Sequence, residues 1–384
     1  MRMSKLLTTR EERGKAIVKL QNQIKRVDEC VYVIKSQSGN GEYVVTKVDK
    51  EWICECPDNK FRHVKCKHVF AVEFSSQIRA EVQTNRASQV IQEINIKSCR
   101  YCGSSNLKKD GIRRNKNGDI QKFYCRDCRH YFTVNIGFER MKHNPQAITS
   151  AMQLYFSGES LRNTMKSLRL LGVEVSYRTI LNWINKYVKL MKEYVENFQP
   201  SVSDTWRADE LYVKIKGDMK YLFALMDDET RFWIAQEIAD SKYTHDARTL
   251  FKAGVKVAGK KPMTLITDGL PAYHDAYNKE FWTMKKETRT QHIRHITLRG
   301  DHNNNKMERL NGEIRDREKT MRGLKTKETS ILTGYQIFHN YIRPHEGLNN
   351  KTPSEACGIT VEGKNKWLTL IQNASQQTRF HKEN

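Results

Sequence analysis

The stretch WRADELYVKIKG, residues 206–217, decides the fold because its apolar and polar side chains alternate with a period of two. Such alternation predicts a β-strand with one buried face. Asp209 falls in phase with the apolar Leu211 and Val213. Its neighbour Glu210 falls on the opposite face. A carboxylate on a buried strand face is costly unless it binds something, and a metal ion is the usual partner. The strand therefore predicts both a sheet and a metal-binding carboxylate.

The chain beyond this strand reads as a mixed succession of strands and helices. Strands are predicted at 220–226, 232–239, 263–267 and 295–298, and helices at 244–256, 272–281 and from about residue 303 onwards. Asp268 directly follows the strand at 263–267, which is the fourth strand when the one at 206–217 is counted as the first. Glu308 shares one face of the last helix with Asn311 and Arg315, because spacings of three and four residues repeat on a helix. Acidic residues thus fall on the first strand, after the fourth strand and on the last helix.

Net charge predicts a polyanionic partner. The 384-residue chain has 67 Lys and Arg against 44 Asp and Glu, a formal net charge of +23, which suits nucleic acid or an anionic membrane surface. Segments 99–143 and 285–327 each carry +7, whereas 204–280 carries −1. Basic residues that served only as solvated surface would not leave such a near-neutral segment. An acid-rich segment between basic ones suits a site for divalent metal and phosphate.

Membrane insertion and secretion are not expected. The longest uncharged apolar run, residues 221–226, is far shorter than the ~20 residues that span a bilayer. The N-terminal stretch has no apolar segment of signal-peptide length. We therefore expect a cytoplasmic protein. The length suits two or three domains of roughly 150 residues.

Seven of the nine cysteines fall into two spaced groups, and the first contains a histidine. Its members are Cys54, Cys56, Cys66 and His68. Three thiolates and an imidazole suit tetrahedral Zn²⁺, whereas a disulfide would need an oxidising compartment. Behind a predicted hairpin (30–35 and 42–48), this pattern resembles the SWIM zinc finger. The resemblance implies a finger over 29–80 with one structural zinc ion, preceded by a helix within 1–28.

The second group consists of two Cys-x-x-Cys pairs separated by 22 residues. Its members are Cys99, Cys102, Cys125 and Cys128. Two such pairs predict a zinc ribbon over 95–140, with a second structural zinc ion. Thioredoxin-like redox chemistry is the alternative, but two matched pairs favour metal. Basic residues between the pairs predict contacts with DNA, namely Arg113, Arg114 and Lys116.

Residues 144–198 predict three helices in a helix-turn-helix arrangement. Pro145 begins the first helix, Gly158 and Gly172 interrupt the pattern, and Ser176 offers a cap for the third. Outward side chains on the third helix predict contacts in a DNA groove, namely Arg178, Asn182 and Lys186. An ordinary helical hairpin is the alternative, and the neighbouring zinc ribbon favours DNA binding.

The three acidic stretches resemble the catalytic blocks of DDE transposases and retroviral-type integrases. They are WRADELYVKIKG, LITDGLPAY (265–273) and NNNKMERLNGEIRDREKTMRG (303–323). The tail YQIFHNYIRPHEGLNNKTPSEACGI (335–359) is similar to the segment that follows the acidic helix in those enzymes. Over about 144–360 the chain is most similar to insertion-sequence transposases of family six and their archaeal relatives.

This resemblance implies an α/β fold with a ribonuclease-H-like mixed sheet flanked by helices, preceded by the small zinc-binding β domains and the helical DNA-binding domain. The catalytic core is expected at 203–327, a helical extension at 328–360 and a polar, disordered tail at 361–384. Two differences from the family pattern are visible. The 39 residues between Asp268 and Glu308 are more than expected, and a SWIM finger is unusual.

The resemblance also implies an activity. Asp209, Asp268 and Glu308 would be the catalytic triad and would hold two Mg²⁺ or Mn²⁺ ions for hydrolysis and strand transfer at the ends of a mobile element. The expected partners are double-stranded DNA, from the terminal repeats and the target, and a second copy of the chain in a homodimer or larger assembly. Cations near Glu308 would contact the DNA backbone, namely Arg315, Arg317, Lys319 and Arg322.

Two other functions remain open from the sequence. A catalytically silent or domesticated regulator would use the fingers and the helix-turn-helix without cleavage, although all three acids are retained. A nuclease or resolvase on the same fold would cleave without joining. The helix-turn-helix and the ribbon favour recognition of particular DNA ends.

Overall fold

The computed structural model describes residues 9–20, 23–27, 30–37, 39, 41–48, 51–84, 89–94, 98–99, 101–115, 118–133, 136–139, 141–285, 288–295, 305–320, 324 and 329–383. Within these residues the chain forms two small β units, a helical unit and a larger α/β domain. The helical unit and the α/β domain share one continuous hydrophobic core. No helix among the described residues combines the length and the apolar character needed to cross a bilayer.

The first β unit packs an antiparallel sheet, in the order β1-β2-β3-β4, against helices. Its elements are α1 Arg10–Lys19, β1 Ile24–Arg26, β2 Val31–Lys35, β3 Glu42–Val48, β4 Glu51–Cys54, α2 Pro57–Lys60 and α3 Lys67–Thr84. Thr9 and Glu12 form a capping box at the start of α1. Ile17 and Val45 are buried beside the cysteines of the first group, so the core of this unit is small.

The helix expected within 1–28 ends at Lys19 in the described part of the chain. Leu20 is extended, and Ile24 lies opposite Ile34 where β1 pairs with β2. Apolar pairing across a sheet outweighs local helix propensity here. The segment before the finger is therefore partly a strand of the finger itself.

The second β unit is a three-stranded antiparallel sheet. After β5 Gln89–Ile91 come β6 Leu107–Asn115, β7 Gly118–Cys125 and β8 Tyr131–Thr133, and the last three form this sheet. Its pairing shifts register between Lys109 and Ile112, where Gly111 has φ +74°. That conformation suits glycine and marks a β-bulge. β5 pairs elsewhere, with a strand near the C-terminus.

The helical unit contains the three helices that the sequence predicts. They are α4 Pro145–Ser157, α5 Leu161–Leu170 and α6 Tyr177–Val195. The side chains of Asn144, Ser160 and Ser176 accept hydrogen bonds from the first turns, so each helix begins at a polar cap. The apolar faces of α4 and α6 are buried in the main core.

The α/β domain has a five-stranded sheet in the order β11-β10-β9-β12-β13. Its elements are β9 Thr205–Ile215, β10 Asp218–Asp227, β11 Trp233–Ala239, α7 Thr244–Ala258, β12 Thr264–Asp268, α8 Pro271–Glu280, β13 Gln291–His295 and α9 Asn305–Thr320. β9, β10 and β11 are antiparallel neighbours, whereas β12 runs parallel to both β9 and β13. This is the ribonuclease-H-like mixed sheet that the sequence predicts. Of the strand expected at 295–298, residue 295 ends β13, and residues 296–298 lie outside the described residues.

Helices cover both faces of this sheet. Gly254 of α7 lies against Trp206 and Leu225, which share one face. α9 contacts β9, and its buried residues include Met307 and Ile314. In β9 the residues that pair with Leu222 and Ala224 are Leu211 and Asp209, so Asp209 lies on the face opposite Trp206.

The C-terminal region packs onto the core. It contains α10 Ser330–Ile337, a π-helical turn Phe338–Ile342, a 3₁₀ turn Glu346–Leu348, α11 Pro353–Ala356, β14 Ile359–Val361 and α12 Lys366–Glu383. The expectation of a polar, disordered tail over 361–384 is wrong for the described residues. Trp367, Leu370 and Ile371 are at most 2% exposed in the main core, since a spacing of three and four places them on one helix face.

Candidate functional site

Three carboxylates meet where the end of β12 lies beside the middle of β9. One oxygen from each of Asp209, Glu210 and Asp268 lies within 4.8 Å of the other two. Asp209 and Asp268 belong to the predicted triad, but Glu210 was expected on the far face of the strand. A cluster of hard oxygen donors of this kind suits a divalent cation such as Mg²⁺.

The separation of two strands explains why side chains from both faces of β9 reach this cluster. β12 pairs with β9 only where residues 264–266 lie opposite 205–207. Beyond that point β12 continues beside β13, and β9 continues beside β10. The carboxylates lie just past the last paired residues, in the gap that opens between the strands.

Asp209 is the most perturbed acid of the cluster. Burial raises its pKa to about 7, and the negative charges of Glu210, Asp268 and Glu308 add to this effect. Its Oδ2 accepts a hydrogen bond of 2.9 Å from Nδ2 of Asn311, and its Oδ1 accepts one from the Glu210 N–H. A cation bound here would offset the repulsion between these carboxylates, which contributes to the raised pKa of Asp209.

Asp268 and Glu308 approach the cluster from separate elements. Asp268 ends β12, and its Oδ1 accepts a 3.0 Å hydrogen bond from the Leu270 N–H ahead of α8. Glu308 lies exposed in the first turn of α9. Its carboxylate is not one of the three whose oxygens lie within 4.8 Å. The structure thus brings two of the predicted acids together and places Glu308 on a helix whose Asn311 contacts Asp209.

Glu210 is the acid that sequence reasoning missed. Its side chain is 5% exposed, and its Oε1 accepts a 2.7 Å hydrogen bond from Lys242 Nζ. Its Oε2 is buried with no hydrogen-bond partner among the described residues. Burial, and then the charges of Glu210 and Asp209, raise the pKa of Tyr273 well above its usual value, which places this phenol beside the cluster. The sequence does show a second acid directly after Asp209. Strict alternation along the strand, however, assigns that acid to the opposite face.

A buried ion-pair network fixes the start of α9. Asp228, fully buried in the turn after β10, accepts a hydrogen bond from Arg207 and a 3.0 Å one from Lys306 Nζ. Lys306 also donates to the Asp228 carbonyl at 2.8 Å. Burial opposes ionisation, yet Arg207 and Lys306 hold the pKa of Asp228 below its usual value. Because Lys306 lies two residues before Glu308, this network positions the helix turn that carries Glu308.

Most of the side chains predicted to contact DNA lie on the surface. The exposed members are Arg113 and Arg114 on β6, Arg178, Asn182 and Lys186 on α6, and Arg315 and Lys319 on α9. Their exposure leaves them available, and whether they contact DNA stays a prediction. Lys116 and Arg322 lie outside the described residues.

The prediction that Arg317 contacts the DNA backbone is wrong. Arg317 is 5% exposed, and its guanidinium donates to the carbonyl of Tyr155 and to the hydroxyl of Thr320. It also lies over the Tyr155 ring, 5.2 Å from the centroid. A cation at the end of α4 is favourable, and Arg317 adds a charged donor to the Tyr155 carbonyl beside the Gly158 N–H. Arg317 therefore fastens α9 to the helical unit.

Both cysteine groups have the geometry of zinc sites. In each group one ligand atom per residue lies within 4.8 Å of all the others. Cys99 and Cys128 Sγ atoms are 3.5 Å apart, and Cys102 and Cys125 Sγ atoms are 3.6 Å apart. A tetrahedron with Zn–S bonds of about 2.3 Å has edges close to these lengths.

In the first group Nδ1 of His68 is the imidazole atom that faces the sulfurs. It lies 3.7 Å from the Cys54 Sγ and 3.9 Å from the Cys66 Sγ. Hydrogen bonding from Cys54 lowers the pKa of Cys66 to about 4, which favours the thiolate that zinc binds. The residues present therefore fit one zinc ion in each unit.

Comparison with known proteins supports the reading of the α/β domain. Residues 203–345 match the family model DDE_Tnp_IS240, described as a DDE domain. The chain is 30% identical over 139 residues to the transposase for insertion sequence-like element IS431mec of Staphylococcus aureus, covering 35% of this chain and 60% of that protein. The transposase for insertion sequence element IS257 in transposon Tn4003 of S. aureus matches equally. The chain thus spans about 60% of the length of these curated relatives.

Among solved structures, the HTLV-2 integrase catalytic core domain in complex with magnesium is similar at 14% identity, covering 42% of this chain and 98% of that chain, with a TM-score of 0.32. The fold assignment of the present chain rests on its own strand order, β11-β10-β9-β12-β13.

Proposed function

We propose that this chain is a DDE transposase that binds the ends of a mobile element, cleaves phosphodiester bonds and joins the freed end to target DNA. The observation that carries the proposal is the meeting of Asp209, Glu210 and Asp268 within a domain that matches a DDE family model. The staphylococcal transposases that match the chain over 139 residues support the same activity. We place the protein at the DNA of a prokaryotic cell, acting as a dimer or larger assembly that holds two DNA ends.

The carboxylates fit divalent cations. Asp209 and Asp268 offer oxygens from two different strands, and Glu308 projects from α9 next to them. Two bound Mg²⁺ or Mn²⁺ ions would supply activation of the attacking oxygen and stabilisation of the leaving oxygen. The pKa of about 7 at Asp209 fits such a site, because crowded carboxylates are most stable when a cation neutralises them.

The side chains around the acids hold them in place for that chemistry. Asn311 donates to Asp209, Lys242 donates to Glu210, and the Leu270 N–H donates to Asp268. In the proposed reaction, water attacks a phosphodiester at the element end and releases a 3′-hydroxyl. That hydroxyl then attacks a target phosphodiester, so each step breaks one P–O bond and forms another. Neither step needs a covalent protein intermediate.

The remaining units are proposed to select the DNA. The exposed side chains of α6, among them Arg178 and Asn182, suit a groove of the element ends. Arg113 and Arg114 on the ribbon and Arg315 on α9 suit the phosphate backbone. We propose one structural zinc ion in each cysteine group, so that metal, not a large core, stabilises these small units.

The test is an assay of end cleavage and strand joining. Duplexes cut from the DNA that flanks the gene are incubated with the full chain and Mg²⁺ or Mn²⁺, and cleaved and joined products are separated on a gel. We expect joining by the unaltered protein and by Asp275→Asn, an exposed acid on α8. We expect Asp268→Asn to bind DNA without forming either product.

Three outcomes would contradict the proposal. Binding without cleavage by the unaltered protein would favour a DNA-binding regulator. Cleavage of any DNA without joining would favour a nuclease or resolvase. Equal joining by Asp268→Asn would remove the carboxylate cluster from the mechanism.

A further inference from the structure

We propose that a basic pocket on the flank of α9, separate from the carboxylate cluster, binds a phosphate group of the DNA strand that is being processed. The pocket rests on the proposed function, because it supplies a second anchor for that DNA. It is a cavity of about 200 Å³ between α9, the turn after β10 and the π-helical turn. Its polar lining is provided by Arg231, Lys306, Arg309, Glu313, His339 and His345.

The electrostatics of this pocket favour an anion. Among the residues that line the cavity, Arg231, Lys306 and Arg309 carry three positive charges, against one negative charge on Glu313. Glu313 already accepts hydrogen bonds from Arg343 at 2.7 and 3.1 Å, and Asp228 is shared by Arg207 and Lys306. The positive charge thus exceeds what the carboxylates neutralise.

Arg231 is held with a donor unused. Its Nε is buried without a hydrogen-bond partner among the described residues. The guanidinium packs against the backbone at Gly347, where a Cβ would come within about 2.6 Å of the Arg231 Cζ. A buried, charged N–H without an acceptor is costly, and a phosphate oxygen would satisfy it.

His339 adds a second unsatisfied atom to the pocket. It is 3% exposed, and its Nε2 donates to the Arg231 carbonyl at 2.9 Å, so the neutral ring leaves Nδ1 as an acceptor. Nδ1 is buried without a partner in the described part of the chain. Burial, together with a smaller contribution from the charge of Arg343, lowers the pKa of His339 to about 4. A hydrated phosphate would satisfy both atoms, with its oxygen at Arg231 and its water at His339.

The position of the pocket relates it to the proposed active site. Asn305, Lys306 and Arg309 of the pocket flank Glu308 in the first turns of the same helix. Successive helix residues rise about 1.5 Å, so the pocket mouth lies within one helical turn of Glu308 along α9. The N-terminal end of a 16-residue helix adds a favourable partial positive charge for an anion. A DNA strand that passes the carboxylates can therefore place a neighbouring phosphate in the pocket.

The experiment measures how DNA affinity depends on salt. The full chain carries Asp268→Asn throughout, so that cleavage does not interfere, and binds duplexes taken from the DNA that flanks the gene. Each phosphate contact contributes about −0.9 to the slope of log affinity against log salt concentration. We expect Arg231→Gln and Arg309→Gln each to make the slope shallower by about one. The matched control is Lys256→Gln, an exposed cation on α7, which should leave the slope unchanged.

A second arm separates a DNA phosphate from a free one. Inorganic phosphate is compared with chloride at equal ionic strength by its effect on the thermal midpoint of the full chain. We expect phosphate to raise the midpoint of the unaltered protein and to have no such effect on Arg231→Gln. Stabilisation by phosphate with unchanged DNA slopes would overturn the DNA assignment in favour of a free-phosphate site.

If the salt slopes of the variants are unchanged and phosphate does not raise the thermal midpoint, the proposal of an anion-binding pocket is refuted. Arg309 has a side chain that is 66% exposed, so Arg309→Gln keeps the proposal testable even where Arg231→Gln disturbs folding. The binding measurement does not depend on cleavage or joining. A failure of the pocket and a failure of transposase activity are therefore distinguishable.

Discussion

At the scale of single residues, Glu210 changes the description of the site. Simple alternation along β9 separates it from Asp209, yet its carboxylate lies in the same cluster because β9 and β12 diverge there. Its one engaged oxygen binds Lys242, and the other faces no hydrogen-bond donor among the described residues. Glu210 is therefore placed either to bind a cation or to hold the acids that do.

Replacing Glu210 by Gln tests this placement. We expect end cleavage to fall about 10- to 100-fold, as for residues that support metal ligands, with a higher Mg²⁺ concentration needed for half-maximal rate. DNA affinity should be unchanged. Glu196→Gln, an exposed glutamate after α6, is the matched control. Unchanged cleavage and Mg²⁺ dependence for Glu210→Gln would show that Glu210 has only a packing role.

The raised pKa of Asp209 predicts a pH-dependent metal affinity. In the metal-free fold the carboxyl titrates at about 7, whereas an unfolded Asp titrates at about 3.9. The fold therefore binds a proton that the unfolded chain has lost, and the stability that this group contributes decreases as pH rises from about 4 to about 7. Divalent cations need the ionised form, so their affinity should increase over the approach to pH 7 and then level off.

Isothermal titration with Mg²⁺ measures this affinity directly. Between pH 6 and pH 8 we expect about a tenfold gain, since one pH unit below the pKa leaves about a tenth of the group ionised. The Asp209→Asn protein should bind more weakly and lose most of the pH dependence. Equal affinity of the unaltered protein at both pH values would contradict the prediction.

At the scale of elements, α12 and α9 show how helices far apart in sequence complete the core. α12 inserts Trp367 and Leu370 among the residues of the helical unit, and Trp367 Nε1 donates to Gln153 Oε1 at 2.9 Å. α9 is fastened at both ends, by Lys306 to Asp228 and by Arg317 to the end of α4. The helix that carries Glu308 is thus tied to the sheet and to the proposed DNA-binding helices.

Truncation of Trp367 tests the role of α12. Because the indole is 2% exposed, Trp367→Ala should lower the free energy of unfolding by about 3–5 kcal/mol. Lys364→Ala, at an exposed position shortly before α12, should change it by less than about 0.5 kcal/mol. Urea denaturation followed by far-ultraviolet circular dichroism measures both. Equal stabilities would mean that α12 does not belong to the cooperative core.

At the scale of the whole molecule, two small β units are attached to a larger α/β domain. β5 pairs in parallel with β14, and Arg26 of β1 forms an ion pair with Glu229 in the turn after β10, with side chains 8% and 15% exposed. These contacts join the N-terminal third of the chain to the α/β domain. The first and second β units bury few apolar residues of their own, whereas the main core is extensive.

This difference predicts a separable response to zinc removal. The purified full chain should release two zinc ions per molecule, measured with a colorimetric chelator, and Cys56→Ser and Cys125→Ser should each remove one. Amide hydrogen exchange after chelation should increase in β2–β4 and β6–β8 and stay slow in β9–β12, because only the small units depend on metal for folding energy. An equal increase of amide exchange in β9–β12 would contradict this prediction.

The sequence by itself indicated the elements from α4 to α9, the mixed sheet and the two cysteine groups. Alternation along β9, helix caps at Asn144 and Ser176, and paired cysteines are local patterns, and local patterns depend on residues that are close along the chain. The order of strands and acids then pointed to the ribonuclease-H-like arrangement. Of the candidate site, Asp209 and Asp268 were correctly predicted to lie together.

Only the tertiary structure decided which side chains face solvent, core or one another. Glu210 lies with the other acids because two strands separate. Arg317 is buried because α9 contacts the end of α4. The largely polar C-terminal segment folds because its few apolar residues pack into the main core. The basic pocket is assembled from a turn, a helix and a π-helical turn, and the turn precedes the helix by more than 70 residues. Such relations depend on contacts between remote segments, which periodicity along the chain does not encode.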